Sequence, residues 1–268
     1  MVPSGAYDEE ADMTEDSMDL EEKIKFVQST IEPMALLTYP HIAGFVAIDD
    51  DAGRHVGSAL RCAVAGRNTI ITAAHVVREA RNGGRFAVTA VRGRPPFELH
   101  GEPDRIDHEL DVASYVLPSE YPVDGLAFWP EERIDPSEEK LSTDYLFVHG
   151  FPGVRSRFSP LLGGLAKQSL PYGVMLREDE LPANMRPFQF AMDFDPANML
   201  SPDGSPADWL EPHGLSGSPV WRIGASGQRV DTWKPERCLL VGIVTTWCPD
   251  EKLILATKVA SVLDLLRG

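Results

Sequence analysis

The chain has 268 residues, 43% of them hydrophobic and 25% charged, with a formal net charge of −16. That length can bury a substantial core, and no apolar run approaches the roughly 18 to 20 residues that span a bilayer. The anionic balance excludes a nucleic-acid binder, which needs clustered Lys and Arg, and disfavours anionic membrane surfaces.

In chain order, residues 1–15 are expected as an acidic disordered tail, since the opening MVPSGAYDEEADMTEDSMDLEE carries acids and no Lys or Arg. Such an arm could engage a regulatory partner protein. The opening also lacks a basic start and an apolar core, so it does not read as a secretory signal. Residues 16–34 are predicted as an N-terminal helix. Asp16 or Ser17 stands at its cap, and Leu20, Ile24, Val27 and Ile31 recur at spacings of three and four.

From about residue 42 the chain turns to short β-rich runs, among them IAGFVAI, GSALRCAV, NTIITA, RFAVTAV, DVASYVL, DYLFVHG, FQFAMDF, SPVWRI, CLLVGIVTTW and KLILATKV. Gly, Pro, Asn and Asp punctuate them, a pattern of sandwiches or barrels rather than of βαβ units. Residues 35–130 are expected as one β-barrel and residues 144–268 as a second. The polar, proline-bearing residues 131–143 read as a linker between them. LGGLAKQSLPYGVMLREDELPANMRP and DPANMLSPDGSPADWLEP are expected as long loops. VASVLDLLRG reads as a short C-terminal helix.

Cys62, Cys238 and Cys248 cannot all pair, and none has metal-ligand spacing. If CLLVGIVTTWC is one strand, its two cysteines lie about 33 Å apart at ~3.3 Å per residue. A disulfide needs Cα atoms within about 7 Å. Reduced thiols and a cytoplasmic location are expected. His108 and His149 lack paired spacing, so no metal is expected.

Three short words carry chemistry. IITAAHVV ends a β-branched run at His75, HELDVASYVL sets Asp111 before another strand, and HGLSGSPVW sets Ser216 before a third. A serine hydroxyl is a poor nucleophile until an imidazole takes its proton, and a carboxylate must orient that imidazole. Asp107 is a rival for the acid and Ser218 for the nucleophile.

In this order the words resemble those of the trypsin-like (chymotrypsin-fold) serine proteases, nearest in style to bacterial intracellular and HtrA-like members, over roughly residues 40–265. TAAH, D-V-A and G-x-S-G-x-P are the words that carry the likeness. The resemblance implies an all-β fold of two six-stranded antiparallel β-barrels, flanked here by the two helices, with a cleft between the barrels. It implies a serine-type endopeptidase, a hydrolase acting in proteolysis on a protein or peptide substrate, with no cofactor. His75, Asp111 and Ser216 would be the catalytic triad, and the N–H groups of Gly214 and Ser216 the oxyanion hole.

By the same analogy the specificity pocket has Leu210 at its base, with Glu211 beside it. Its walls are Pro212 to Gly214, including His213, and Thr245, Thr246 and Trp247. The last three would pair with extended substrate as an added strand. Trp247 stands where relatives often keep glycine and either narrows the pocket mouth or serves as a core aromatic. Val76 fills a slot that is cysteine in secreted relatives. Leu215 stands where zymogen-activated relatives carry an aspartate that pairs with a new N-terminus, so no activating cut near Ile42 is expected. Packing or a partner must then shape the hole. The alternatives are a catalytically silent trypsin-like module that binds peptides or scaffolds a complex, and an esterase on the same scaffold.

Overall fold

The computed structural model describes residues 20–49, 52–82, 84–89, 96–119, 121, 125–137, 144–153, 156–159, 164–167, 169–197, 199, 212–225 and 232–268. The expected acidic tail and the cap at Asp16 or Ser17 lie outside them, as do Leu210 and Glu211.

Helix α1 spans Leu20–Thr38. Its buried side is Phe26, Thr30, Ile31 and Met34, whereas Ile24 is 38% exposed, so the docked face is rotated from the one the spacing suggested. The helix lies on the second half of the molecule. Gly173 there has no room for a side chain, since a Cβ would come within 2.4 Å of Val27.

The first sheet contains β1 (Ile42–Asp49), β2 (Ala52–Val64), β3 (Arg67–Ala73), β4 (Arg85–Val88), β5 (Phe97–Glu98), β6 (Arg105–Asp107) and β7 (Val112–Val116). Between β3 and β4 lies α2 (Ala74–Arg81), a helix the sequence reading did not anticipate. The strand order is β5-β4-β1-β2-β3-β7-β6. This corrects the expectation of a first closed six-stranded barrel: among the described residues the sheet has seven strands and does not close. Its edges are two- and three-residue strands, too short to ladder against each other. Each edge strand pairs with its one neighbour and the ladder runs a residue past it, with Leu99 N–H donating to Phe86 O and Asp104 N–H to Ser114 O.

The second half contains β8 (Asp144–Gly150), β9 (Ser156–Ser159), β10 (Gly164–Lys167), β11 (Leu170–Arg177), β12 (Gln189–Asp193), β13 (Pro219–Ala225), β14 (Leu239–Cys248) and β15 (Leu253–Lys258). Strands β11-β12-β15-β14-β13-β8 form a closed barrel, while β9 and β10 pair separately. Strands β10 and β11 fall inside a segment read as loop. Pro171 and Gly173 hid β11, but Leu170 and Val174 are buried, and the strand pairs with β8 from Leu170 to Met175. Helix α3 (Val259–Arg267) closes the chain and buries Val259, Val262, Leu263 and Leu266.

The largest core lies where the two halves meet. It joins Leu60, Ile71 and Val112 of the first sheet to Phe147, Trp221 and Ile243 of the barrel, with Phe26, Met34 and Val262 from the helices. The chain crosses between the halves through this core. Trp129, fully buried, bridges to Cys62, and five residues on Ile134 bridges to Leu240. The Arg133 guanidinium lies 4.3 Å over the Trp129 ring.

Candidate active site

Strands β3 and β7 pair antiparallel with Ala73 opposite Val112. The residues just past that pair are therefore neighbours: Ala74 and His75 entering α2, and Asp111 entering β7. Asp111 is left-handed, at φ +54°, a conformation short polar residues tolerate better than most. That turn lets it serve the helix start. Its carbonyl accepts from Ala74 N–H at 3.1 Å and its Oδ1 from His75 N–H at 2.9 Å. Two of the amides that a helix start leaves unpaired are thereby satisfied, although Ala73 at the cap has no side chain to do so. A carboxylate is also favoured at this end of the helix dipole.

The other oxygen, Oδ2, lies 2.7 Å from His75 Nδ1. A carboxylate only accepts, so Nδ1 is the donor in this bond, and in the neutral ring Nε2 keeps the lone pair. Asp107, the rival, spends its Oδ1 on Glu109 and Leu110 N–H groups in a local turn.

Ser216 sits on the turn entering β13. Gly214 (φ +94°) and Gly217 (φ +86°) flank it in the left-handed region. A Cβ on Gly217 would lie 2.0 Å from Ser58 O and 2.4 Å from Thr72 Oγ1, so glycine is required on two grounds. Ser216 Oγ rests 3.5 Å from Thr245 O and, among the described residues, makes no hydrogen bond to the imidazole. Ser218 is fully buried beneath the turn. Leu215 is buried in the barrel core, 1% exposed.

His75, Asp111, Ser216, Gly214, His213, Thr245, Thr246 and Trp247 line one cavity of about 760 Å³, and Pro212 completes the expected wall. The His213 and Trp247 rings meet edge to face at 5.5 Å, so Trp247 stands at the cleft and its indole leans on the segment before Ser216. Strand β14 pairs with β13 only as far as Ile243 but with β15 to Cys248. Past Val244 the other edge of β14 is open among the described residues, where Thr245 to Trp247 could accept a further strand.

Sequence reasoning missed other lining residues, namely Arg54, His55, Arg78, Glu79, His108 and Gly153. Arg54 pairs with Glu79 at 2.6 Å. HVGS, a polar pair within the β-rich run of β2, hints only at His55, and His108 enters the sequence reading only as a candidate metal ligand. His149 is away from the cleft: it is fully buried, burial pulls its pKa down to about 3, and its Nδ1 lies 2.7 Å from Thr38 Oγ1. No cluster of metal-ligating side chains occurs among the described residues, and no helix there is long and apolar enough to cross a membrane.

No protein-family profile and no curated protein matches the chain. Solved structures do. The active form of the Rv3671c protease from M. tuberculosis aligns with TM-score 0.55 and 16% identity over 89% of this chain and 85% of that one. The MamO protease domain from Magnetospirillum magneticum gives 0.53 and 12% over 84% and 95%. The thermostable serine protease AL20 from an extremophilic microorganism gives 0.50 and 15% over 84% and 95%. With its all-β build, closed barrel and flanking helices, the chain has the trypsin-like (chymotrypsin) protease fold.

Proposed function

We propose that the protein is a serine endopeptidase that cleaves a protein or peptide substrate through His75, Asp111 and Ser216. The observation carrying this reading is the Asp111 carboxylate. It grips both the backbone and the ring of His75, with Nδ1 as donor, beside the cavity that His75 and Ser216 both line.

Extended substrate pairs with the open edge at Thr245 to Trp247. For the reaction Ser216 Oγ leaves Thr245 O and turns toward Nε2. As Oγ bonds to the scissile carbonyl carbon its proton passes to Nε2, and Asp111 stabilises the imidazolium. The Gly214 and Ser216 N–H groups receive the oxyanion. The C–N bond then breaks, Nε2 returns the proton to the departing amine, and water hydrolyses the acyl ester by the same steps. Three free cysteines, two of them buried, support a reducing, cytoplasmic setting.

A labelled peptide library with wild type and Ser216→Ala tests the reading. Wild type cleaves and Ser216→Ala loses about 10⁴-fold or more, with its melting temperature held. The position of the Ser216 hydroxyl on Thr245 O favours a second reading, a silent peptide-binding module. Failure of a fluorophosphonate to label Ser216 in folded protein would favour that one instead.

A further inference from the structure

The loop carrying Gly214 and Ser216 lacks an aspartate to tie it to a chain terminus, since Leu215 is buried in the barrel core. Something else must aim its amides. In a trans peptide unit the N–H points opposite to the C=O, so whatever holds a carbonyl orients the next residue's amide. The Leu215 carbonyl accepts from Ser218 N–H at 2.8 Å, which turns the Ser216 N–H away from the loop's interior. The His213 carbonyl accepts from Gly153 N–H at 2.6 Å, which turns the Gly214 N–H the other way. Among the described residues neither amide has an acceptor, and both residues line the cavity.

The first holder, Ser218, lies in the same turn. The second, Gly153, follows β8, and the first sheet fixes its position. His55 Nε2 donates to Phe151 O at 2.6 Å. Ser58 Oγ accepts from Phe151 N–H at 2.8 Å and donates to Gly214 O at 2.8 Å, while Ser58 N–H donates to Ser216 O at 2.8 Å. Two side chains of β2 thus clasp both peptide groups of Phe151, and one of them also clasps the loop. The fit is tight: a Cβ on Gly214 would stand 2.9 Å from His55 Nε2 and 2.6 Å from Gly153 N.

We propose that His55 and Ser58 are positioning residues that hold the His213–Gly214 peptide with its N–H facing the cleft, a brace built into the fold in place of a terminal ion pair. The proposal rests on the protease reading for its kinetic consequence, though not for its geometry.

The test compares wild type with Ser58→Ala, His55→Phe and His55→Gln, the last of which keeps a side-chain N–H donor. Amide hydrogen exchange at Phe151 and Gly153 is expected to speed up at least tenfold in Ser58→Ala and His55→Phe. In the same two variants kcat falls about 10- to 100-fold, less than the loss of a hole donor outright, with KM within about threefold. His55→Gln recovers most of both. A merely structural role would lower melting temperature without this split or rescue. Unchanged exchange in Ser58→Ala and His55→Phe, or lost protection with full kcat, overturns the brace. A wild type that neither cleaves nor reacts with fluorophosphonate, yet shows the exchange pattern, overturns the protease reading and leaves the brace standing.

Discussion

The closed barrel and the open first sheet contribute to the candidate site in different ways. The sheet supplies both His75 and Asp111, 36 residues apart in sequence but made neighbours by the register of adjacent strands β3 and β7. Their bond is made within the sheet, and the barrel touches it only through the neighbouring residue, where Thr257 Oγ1 donates to Leu110 O at 2.8 Å. The barrel supplies Ser216 on a turn whose shape depends on the sheet, through Ser58 and the residues after β8. The proposed acid–base pair, assembled inside one sheet, depends less on the seam. The proposed nucleophile and oxyanion amides, delivered from across the seam, are only as well placed as the bonds that cross it.

Asp111→Asn breaks the sheet's half of this comparison and should have the largest effect. The amide keeps an oxygen for His75 N–H but cannot hold Nδ1 protonated. Peptide turnover should therefore fall about 10³- to 10⁴-fold, with a melting temperature within a few degrees of wild type. Crystals of the variant should retain α2. Turnover within tenfold of wild type would mean that the carboxylate serves only the helix.

Gly217→Ala breaks the barrel's half through the fold. Its left-handed φ and the 2.0 Å approach to Ser58 O should cost about 3 to 5 kcal/mol, read as a urea midpoint shift. Activity should be lost along with the seam.

Two histidines, one buried and one half-buried, sharpen the contrast in a pH titration of stability. His149 on β8 is held neutral by burial, with its pKa lowered to about 3. His41, just before β1, is lowered to about 4 by burial and by the Arg61 and Arg133 charges. In the unfolded chain both titrate near 6.5. Below that value the unfolded state takes up protons the folded state refuses. Stability is therefore full above about pH 6.5 and falls as pH drops toward the folded values, by up to ~1.4 kcal/mol per pH unit for His149. The gap between urea midpoints at pH 7 and pH 5 should narrow in His149→Gln, with His41 keeping the remainder. If the variant keeps the full wild-type slope, His149 is not the group responsible. The smallest effect belongs to Arg54→Ala: its pair with Glu79 is half-exposed and should contribute under about 1 kcal/mol to the midpoint.

The strands bearing the candidate site were legible because their signals are local. β-Branched runs mark β3 and β14, and glycines mark the turn around Ser216. Helix α2 escaped because Ala74 continues a strand-like run and the residue that caps it, Asp111, is remote in sequence. Strand β11 escaped because Pro171 and Gly173 look like breakers until α1 is seen packed over Gly173. The bonds of Ser58 reach 93 and 156 residues along the chain, and no spacing rule connects positions so far apart. Leu210, read by analogy as a pocket base, lies outside the described residues.

The segment joining the halves has a consequence for anyone recombining such proteins. Trp129 belongs to the sheet side and Ile134 to the barrel side, with the Arg133 guanidinium stacked on the indole between them. A chimera that exchanges one half at this crossing splits a tryptophan from the cation that covers it. The natural cut for grafting therefore falls after Ile134, so that the whole crossing travels with the N-terminal piece and the recipient barrel must offer a matching edge at Leu240.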